Sequence, residues 1–213
     1  MDVAVVARRL TLGRLGSYLD LAVGDRERAL DLYAWNTRAS GALIESIAHT
    51  EVLLRNAMDD ALTDWAKRKH GGADWFDVAP LDLRGRAEIA RARERARRAG
   101  GVSHDRIVAE LTFGFWVFLA SRRYATALWY PGLHRAFASF PGDTAKARPT
   151  VWARLDDLKF VRNRAAHHEP IHRRDLLQDA ARIAEANAWL WPETAAWAAA
   201  RCRVAAVVRA RPV

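Results

Sequence analysis

One short run, Val161-Arg162-Asn163-Arg164-Ala165-Ala166-His167-His168-Glu169-Pro170, places guanidinium, carboxamide and imidazole groups within roughly two helical turns. Together these groups suit the transesterification of RNA. A base takes the proton from a 2′-hydroxyl, an acid protonates the leaving 5′-oxygen, and a cation stabilises the charge that builds on phosphorus. Arg162 suits the cation role, because a planar guanidinium holds phosphate oxygens in a fork and stays charged. His167 suits proton transfer, because imidazole titrates near neutral pH. Asn163 can orient a ribose or the imidazole.

With Val151 at zero on a wheel of about 100° per residue, Leu155, Leu158 and Ala165 fall within about 40° of it and form a core-facing stripe. Arg162 falls in the same stripe, at about 20°. An unpaired guanidinium buried there would cost several kcal/mol, so the stripe is expected to open at Arg162 onto a cleft, a partner chain or a carboxylate. Asn163 and His167 are four apart and share the neighbouring face. The three side chains are expected to converge at the helix end, which Pro170 limits. His168 points about 100° away from His167 and makes a poor second catalyst at the same site. One imidazole cannot easily serve both sides of the phosphorus. A two-fold dimer through the 162–167 helix is therefore expected to supply a second Arg162 and His167. A structural alternative uses the same residues: Arg162 and Asn163 cross-link helices, and His167 is a polar core residue.

The elements that must position this run read as helices. The chain is rich in Ala, Leu and Arg, and no segment alternates with period two, so the class is all-α. Gly71-Gly72, Gly100-Gly101, Pro131-Gly132, Pro141-Gly142, Pro170 and Pro192 punctuate it. Helices are predicted over 6–22, 26–69, 81–99, 103–124, 149–168, 173–190 and 193–209, with a loop at Trp75-Phe76-Asp77. Ser103 suits an N-cap and Pro149 a first helical turn. Leu43, Ile47, Leu54, Met58 and Leu62 form a core stripe, with Ile44 and Ala48 beside it. The expected architecture is a bundle of four to five long helices with additional shorter ones, in a single domain over 1–213. Of nine tryptophans, Trp35, Trp116, Trp152 and Trp189 are expected in the core, while Trp65, Trp75 and Trp129 lie near loops and stay open to base stacking.

Formal net charge is +9, from 34 basic and 25 acidic residues, which favours a polyanionic partner over a solvated basic surface alone. Cys202 is the only cysteine, so no internal disulfide can form and a reducing compartment fits. Met1 to Leu21 lacks the pattern of a signal peptide, and Leu111 to Ala120 is too short to span a bilayer. A cytoplasmic protein without membrane association is expected.

Further candidates flank the run. Glu51 and Arg55 are four apart and can pair, with Asn56 following, either as a helix-linking network or as support in which Glu51 pairs with Arg162. Arg91, Arg95 and Arg98 share a helical face, and with Arg122, Arg123, Arg164, Arg173 and Arg174 could track phosphates; a solvated face is the alternative. His168, Glu169 and His172 do not make a metal site, because Pro170 breaks the spacing and no further ligand completes a shell. No cofactor motif occurs.

The wider pattern resembles the Abi-like (abortive infection, AbiD/AbiF type) family of the HEPN superfamily. Five segments carry the resemblance: Tyr33 to Asn36, Glu51 to Asn56, Trp75-Phe76, Ile107 to Trp116, and Arg162 to Pro170. It implies a HEPN helical bundle whose R-x4-6-H signature is Arg162, Asn163 and His167, with Glu51, Arg55, Asn56 and His168 in support. It also implies a metal-independent endoribonuclease that works as a homodimer on RNA, serves in phage defence or as a toxin, and can have an RNA or protein antitoxin. A non-catalytic RNA-binding module and a protein-interaction scaffold are the alternatives.

Overall fold

The computed structural model of the chain describes residues 2–212. Among them there is no strand, and 75% are helical. The α-helices in order are α1 (Val3–Leu10), α2 (Leu12–Leu21), α3 (Arg26–His70), α4 (Trp75–Val78), α5 (Leu83–Arg98), α6 (His104–Glu110), α7 (Phe113–Leu119), α8 (Arg148–Ala166), α9 (Leu176–Leu190), α10 (Pro192–Ala199) and α11 (Val204–Arg209). Short 3₁₀ and π turns carry the chain from α7 to α8. Four helices are long: α3, α5, α8 and α9. The all-α expectation therefore holds.

Helix α3 is the axis of the structure. Its 45 residues span roughly 68 Å at about 1.5 Å per residue. The Asp25 carboxylate caps it by accepting from the Arg28 N–H, and Lys67, Arg68 and Lys69 place positive charge at the negative end of the dipole. Gly71, in left-handed backbone, ends it. The predicted stripe Leu43, Ile47, Leu54, Met58 and Leu62 is fully buried, and α2, α7, α8, α9 and α11 pack along this helix. Ile44 and Ala48 are exposed at the edge of that stripe rather than within it.

Several predicted helices are shorter or divided. The 6–22 segment breaks at Thr11, whose φ is 68°. The 103–124 segment breaks at Leu111, which is extended, and restarts where the Thr112 hydroxyl accepts from the Phe115 N–H. A hydroxyl that bonds the backbone locally starts a helix more readily than it continues one. The 193–209 segment divides between Ala199 and Val204, and 173–190 begins only at Leu176, capped by Asp175. Trp75 to Asp77, predicted as loop, makes one helical turn capped by Asp74.

The tryptophans mainly fasten helices to one another. Trp35, Trp116 and Trp189 are buried, as are Trp65, Trp75 and Trp129. Trp152 is 38% exposed, against expectation, because it lies one residue round the helix from the buried Val151. The Trp35 indole donates to the Val207 carbonyl at 2.7 Å and ties α11 to α3. The first helices form an apolar cluster of their own, with Leu15, Tyr18, Ala29 and Leu32 at its centre.

His104, at the start of α6, lies between two carboxylates. Its Nε2 is 2.9 Å from Asp59 Oδ1, and its Nδ1 is 3.0 Å from Asp74 Oδ2. Only the imidazolium offers donors to both. Burial opposes that charge, but the hydrogen bond to Asp74 and the attraction of Asp59 outweigh it and hold the pKa above the ordinary value. A raised folded-state pKa contributes stability in full below the unfolded value of about 6.5 and loses it as pH rises through the folded value. Asp59→Asn is therefore expected to lower the melting temperature more at pH 6 than at pH 9. Equal losses at the two pH values in paired thermal melts would contradict this.

Candidate active site

Helix α8 carries the run Arg162 to His167. Pro149 sits in its first turn, and Val151, Leu155, Leu158, Val161 and Ala165 are buried against the rest of the bundle. Arg162 springs from this stripe, yet its side chain is 41% exposed. The long stem lets the guanidinium leave the apolar wall while its root stays in place. It emerges into a groove of about 430 Å³ lined by Glu51 of α3, Ala109 to Gly114 across the α6–α7 junction, and Lys159, Arg162 and Asn163 of α8. Glu51 Oε2 lies 4.0 Å from Arg162 Nε, and Lys159 pairs with Asp156 on its own helix. The groove thus gathers two cations, the carboxylates of Glu51 and Glu110, an amide and the Thr112 hydroxyl.

His167 stands at the helix end, outside the residues that line the groove. Its backbone N–H still donates to the Asn163 carbonyl at 2.9 Å, and its side chain is exposed. It is therefore no polar core residue. The helix stops at Ala166, short of the predicted 168, because His168 takes a left-handed φ of 56°. The Glu169 N–H then reaches back to the Arg164 carbonyl at 2.9 Å, and the His168 N–H to Ala165 at 3.2 Å. This reversal satisfies carbonyls that the helix end would leave bare, in a position glycine usually takes.

The turn after His167 is held from three sides. Arg164 donates to the Pro170 carbonyl at 2.7 Å and pairs with Glu169 at 3.0 Å. Arg14 of α2 donates to the His168 carbonyl at 2.8 Å. The Asn36 carboxamide oxygen, buried on α3, accepts from the Ile171 N–H at 2.8 Å. Sequence reasoning named neither Arg14 nor Asn36 for the site. Asn36 left a signal, a carboxamide on the core side of an apolar helix; Arg14, distant in sequence, left none. His172 is buried against Tyr18, ring centroids 4.6 Å apart, and burial followed by Arg173 and Arg211 holds its pKa below the ordinary value. Among the described residues no group of three or more His, Cys, Asp or Glu side chains converges as metal ligands would.

Of the two expected partners of Glu51, Arg162 rather than Arg55 stands beside it. Arg55 turns to the Ala109 carbonyl at 3.4 Å, while Glu51 faces Arg162. Asn56 lines an adjoining groove beside Asp59, Asp60 and Asp105. Most of the predicted phosphate contacts already have carboxylate partners: Arg91 with Glu88, Arg95 with Glu110, Arg98 with Glu94, Arg123 with Asp82, Arg173 with Asp20 and Arg174 with Asp179. Arg122 is exposed and has no such partner among the described residues. Arg91, Arg95 and Arg98 on α5 thus each have a carboxylate partner, although exposed pairs of this kind are weak enough for a phosphate to displace. No helix of the described residues is long and apolar enough to cross a membrane. Comparison with protein-family profiles, with curated proteins and with solved structures finds no match.

Proposed function

We propose that the chain is a metal-independent endoribonuclease of the Abi-like HEPN kind, acting in the cytoplasm in abortive-infection phage defence. Arg162 clamps the scissile phosphate, Asn163 orients the ribose, and His167 moves a proton. The nucleophile is the neighbouring 2′-hydroxyl of the RNA, which explains why no metal-bound water is called for. A two-fold dimer brings a second His167, so that one imidazole acts as base and the other as acid. The need for both is what supports the dimer, since the groove beside Glu51 accounts for Arg162 within one chain. A neutralising partner, RNA or protein, belongs to the same proposal.

The observation that carries the proposal is the state of Arg162. It is rooted in a buried stripe, opens into a groove, and has its nearest carboxylate at 4.0 Å, a separation too long for a strong hydrogen bond. A pair this loose and this exposed lets a phosphate take the place of the Glu51 carboxylate. End-group analysis of RNA cut in the presence of chelator tests the chemistry. The expected products carry a 2′,3′-cyclic phosphate and a 5′-hydroxyl, and a 2′-deoxy substitution at the cut abolishes cleavage. Products with a 3′-hydroxyl and a 5′-phosphate would contradict the proposal.

A further inference from the structure

Phe160 stands out on the polar side of α8. Its residue surface is 49% exposed, although a phenyl ring gains from burial. The guanidiniums of Arg164 and Arg174 both lie over the ring, each 5.6 Å from its centroid. Neither guanidinium is loose. Arg164 is held by Glu169 and the Pro170 carbonyl, and Arg174 forks onto Asp179 with bonds of 2.9 and 2.7 Å. The ring and the two cations therefore form a surface whose parts are already in place.

That surface lies on the His167 side of α8, about 160° round the wheel from Arg162 and outside the groove beside Glu51. On the α8 wheel, His167, Phe160 and Arg164 fall within about 60° of one another, and Phe160 lies roughly 10 Å along the axis from His167. Stacked nucleotides of one strand rise about 3.4 Å each, so the ring is about three nucleotides from the imidazole. An exposed aromatic with cations over it suits an unpaired base, which stacks on the ring while its phosphates face the guanidiniums. A duplex would keep its bases stacked on one another and could not use the ring.

We propose that Phe160, with Arg164 and Arg174, is a stacking site for an unpaired nucleobase, so that the face of α8 that bears His167 takes single-stranded RNA. The inference rests on the proposed function for its substrate class, but its test reads binding rather than cleavage. The probe is a short 2′-O-methyl RNA, which transesterification cannot cut, offered single-stranded or as a duplex to the full chain at fixed salt in fluorescence anisotropy. Phe160→Leu keeps apolar volume without a stacking face, and Phe160→Trp keeps the face. The single strand is expected to bind more tightly than the duplex. Phe160→Leu is expected to weaken single-strand binding about tenfold, with Phe160→Trp close to the unaltered chain. Trp197→Leu is the control, since Trp197 is another exposed ring with a guanidinium above it, that of Arg201 at 4.4 Å; it is expected to leave binding unchanged. Equal binding by the three Phe160 forms, tighter binding of the duplex, or an equal loss in Trp197→Leu would overturn the inference. Phe160-dependent binding without cleavage of ordinary RNA would sink the proposed enzyme and leave this site standing. Cleavage with no Phe160 dependence in binding would do the reverse.

Discussion

Arg162→Ala is expected to slow RNA cleavage by about 10²–10³-fold, the loss typical when one preorganised group that meets developing charge is removed. The fold should scarcely notice. The guanidinium lies in an open groove, and the carboxylate paired with it, that of Glu51, is 4.0 Å away. Arg162→Lys keeps the charge but loses the fork, so an intermediate rate is expected. Glu51→Gln removes only that distant partner and is expected to change the rate less than about tenfold, far below the effect of losing Arg162. Single-turnover cleavage of a labelled RNA by the three variants, with circular dichroism to verify folding, measures the order. Wild-type cleavage by Arg162→Ala would take the phosphate clamp away from this residue.

Trp116→Ala is expected to have the largest effect on stability, about 3–5 kcal/mol. The indole is fully buried in α7, meeting Phe115 at 5.3 Å and Trp75 at 6.0 Å between ring centroids. In a chain of this size the loss corresponds to a melting temperature lower by roughly 6–20 °C. Trp116→Phe separates shape from hydrogen bonding. The indole nitrogen has no partner among the described residues, so phenylalanine forfeits ring volume but leaves no polar group stranded. Its loss is expected to be well under half that of alanine. Helix α7 also bears Phe113 and Gly114 of the groove wall, so the alanine variant should loosen the site as it loosens the core. Equal melting temperatures for Trp116→Ala and the unaltered chain would contradict this account of the core.

The long apolar period of α3 could be read from sequence because it is local: Leu43, Ile47, Leu54, Met58 and Leu62 repeat at the spacing of one helix face. The conflict at Arg162 was legible for the same reason, as a charge on the stripe that buries Leu155 and Leu158. The helix breaks were not. Thr11, Leu111-Thr112 and the residues after Ala199 carry no proline or glycine, and only at Thr112 does a hydroxyl cap the helix that restarts. The pairing of Glu51 with Arg55 failed because such a pair is worth only about 0.2–0.5 kcal/mol. The Ala109 carbonyl on one side and Arg162 on the other gave the two side chains different partners. The wall of the groove from Ala109 to Gly114, and the Arg14 clamp on His168, come from segments distant in sequence, where no period links them to α8.

The most direct measurement is incubation of the purified chain with total RNA in chelator, beside His167→Ala prepared in the same way. General acid–base catalysis contributes about 10²–10⁴-fold, so the expected result is cleavage by the unaltered chain and near silence from the variant. Equal cleavage by both preparations, or intact RNA with both, would contradict an active site at Arg162, Asn163 and His167.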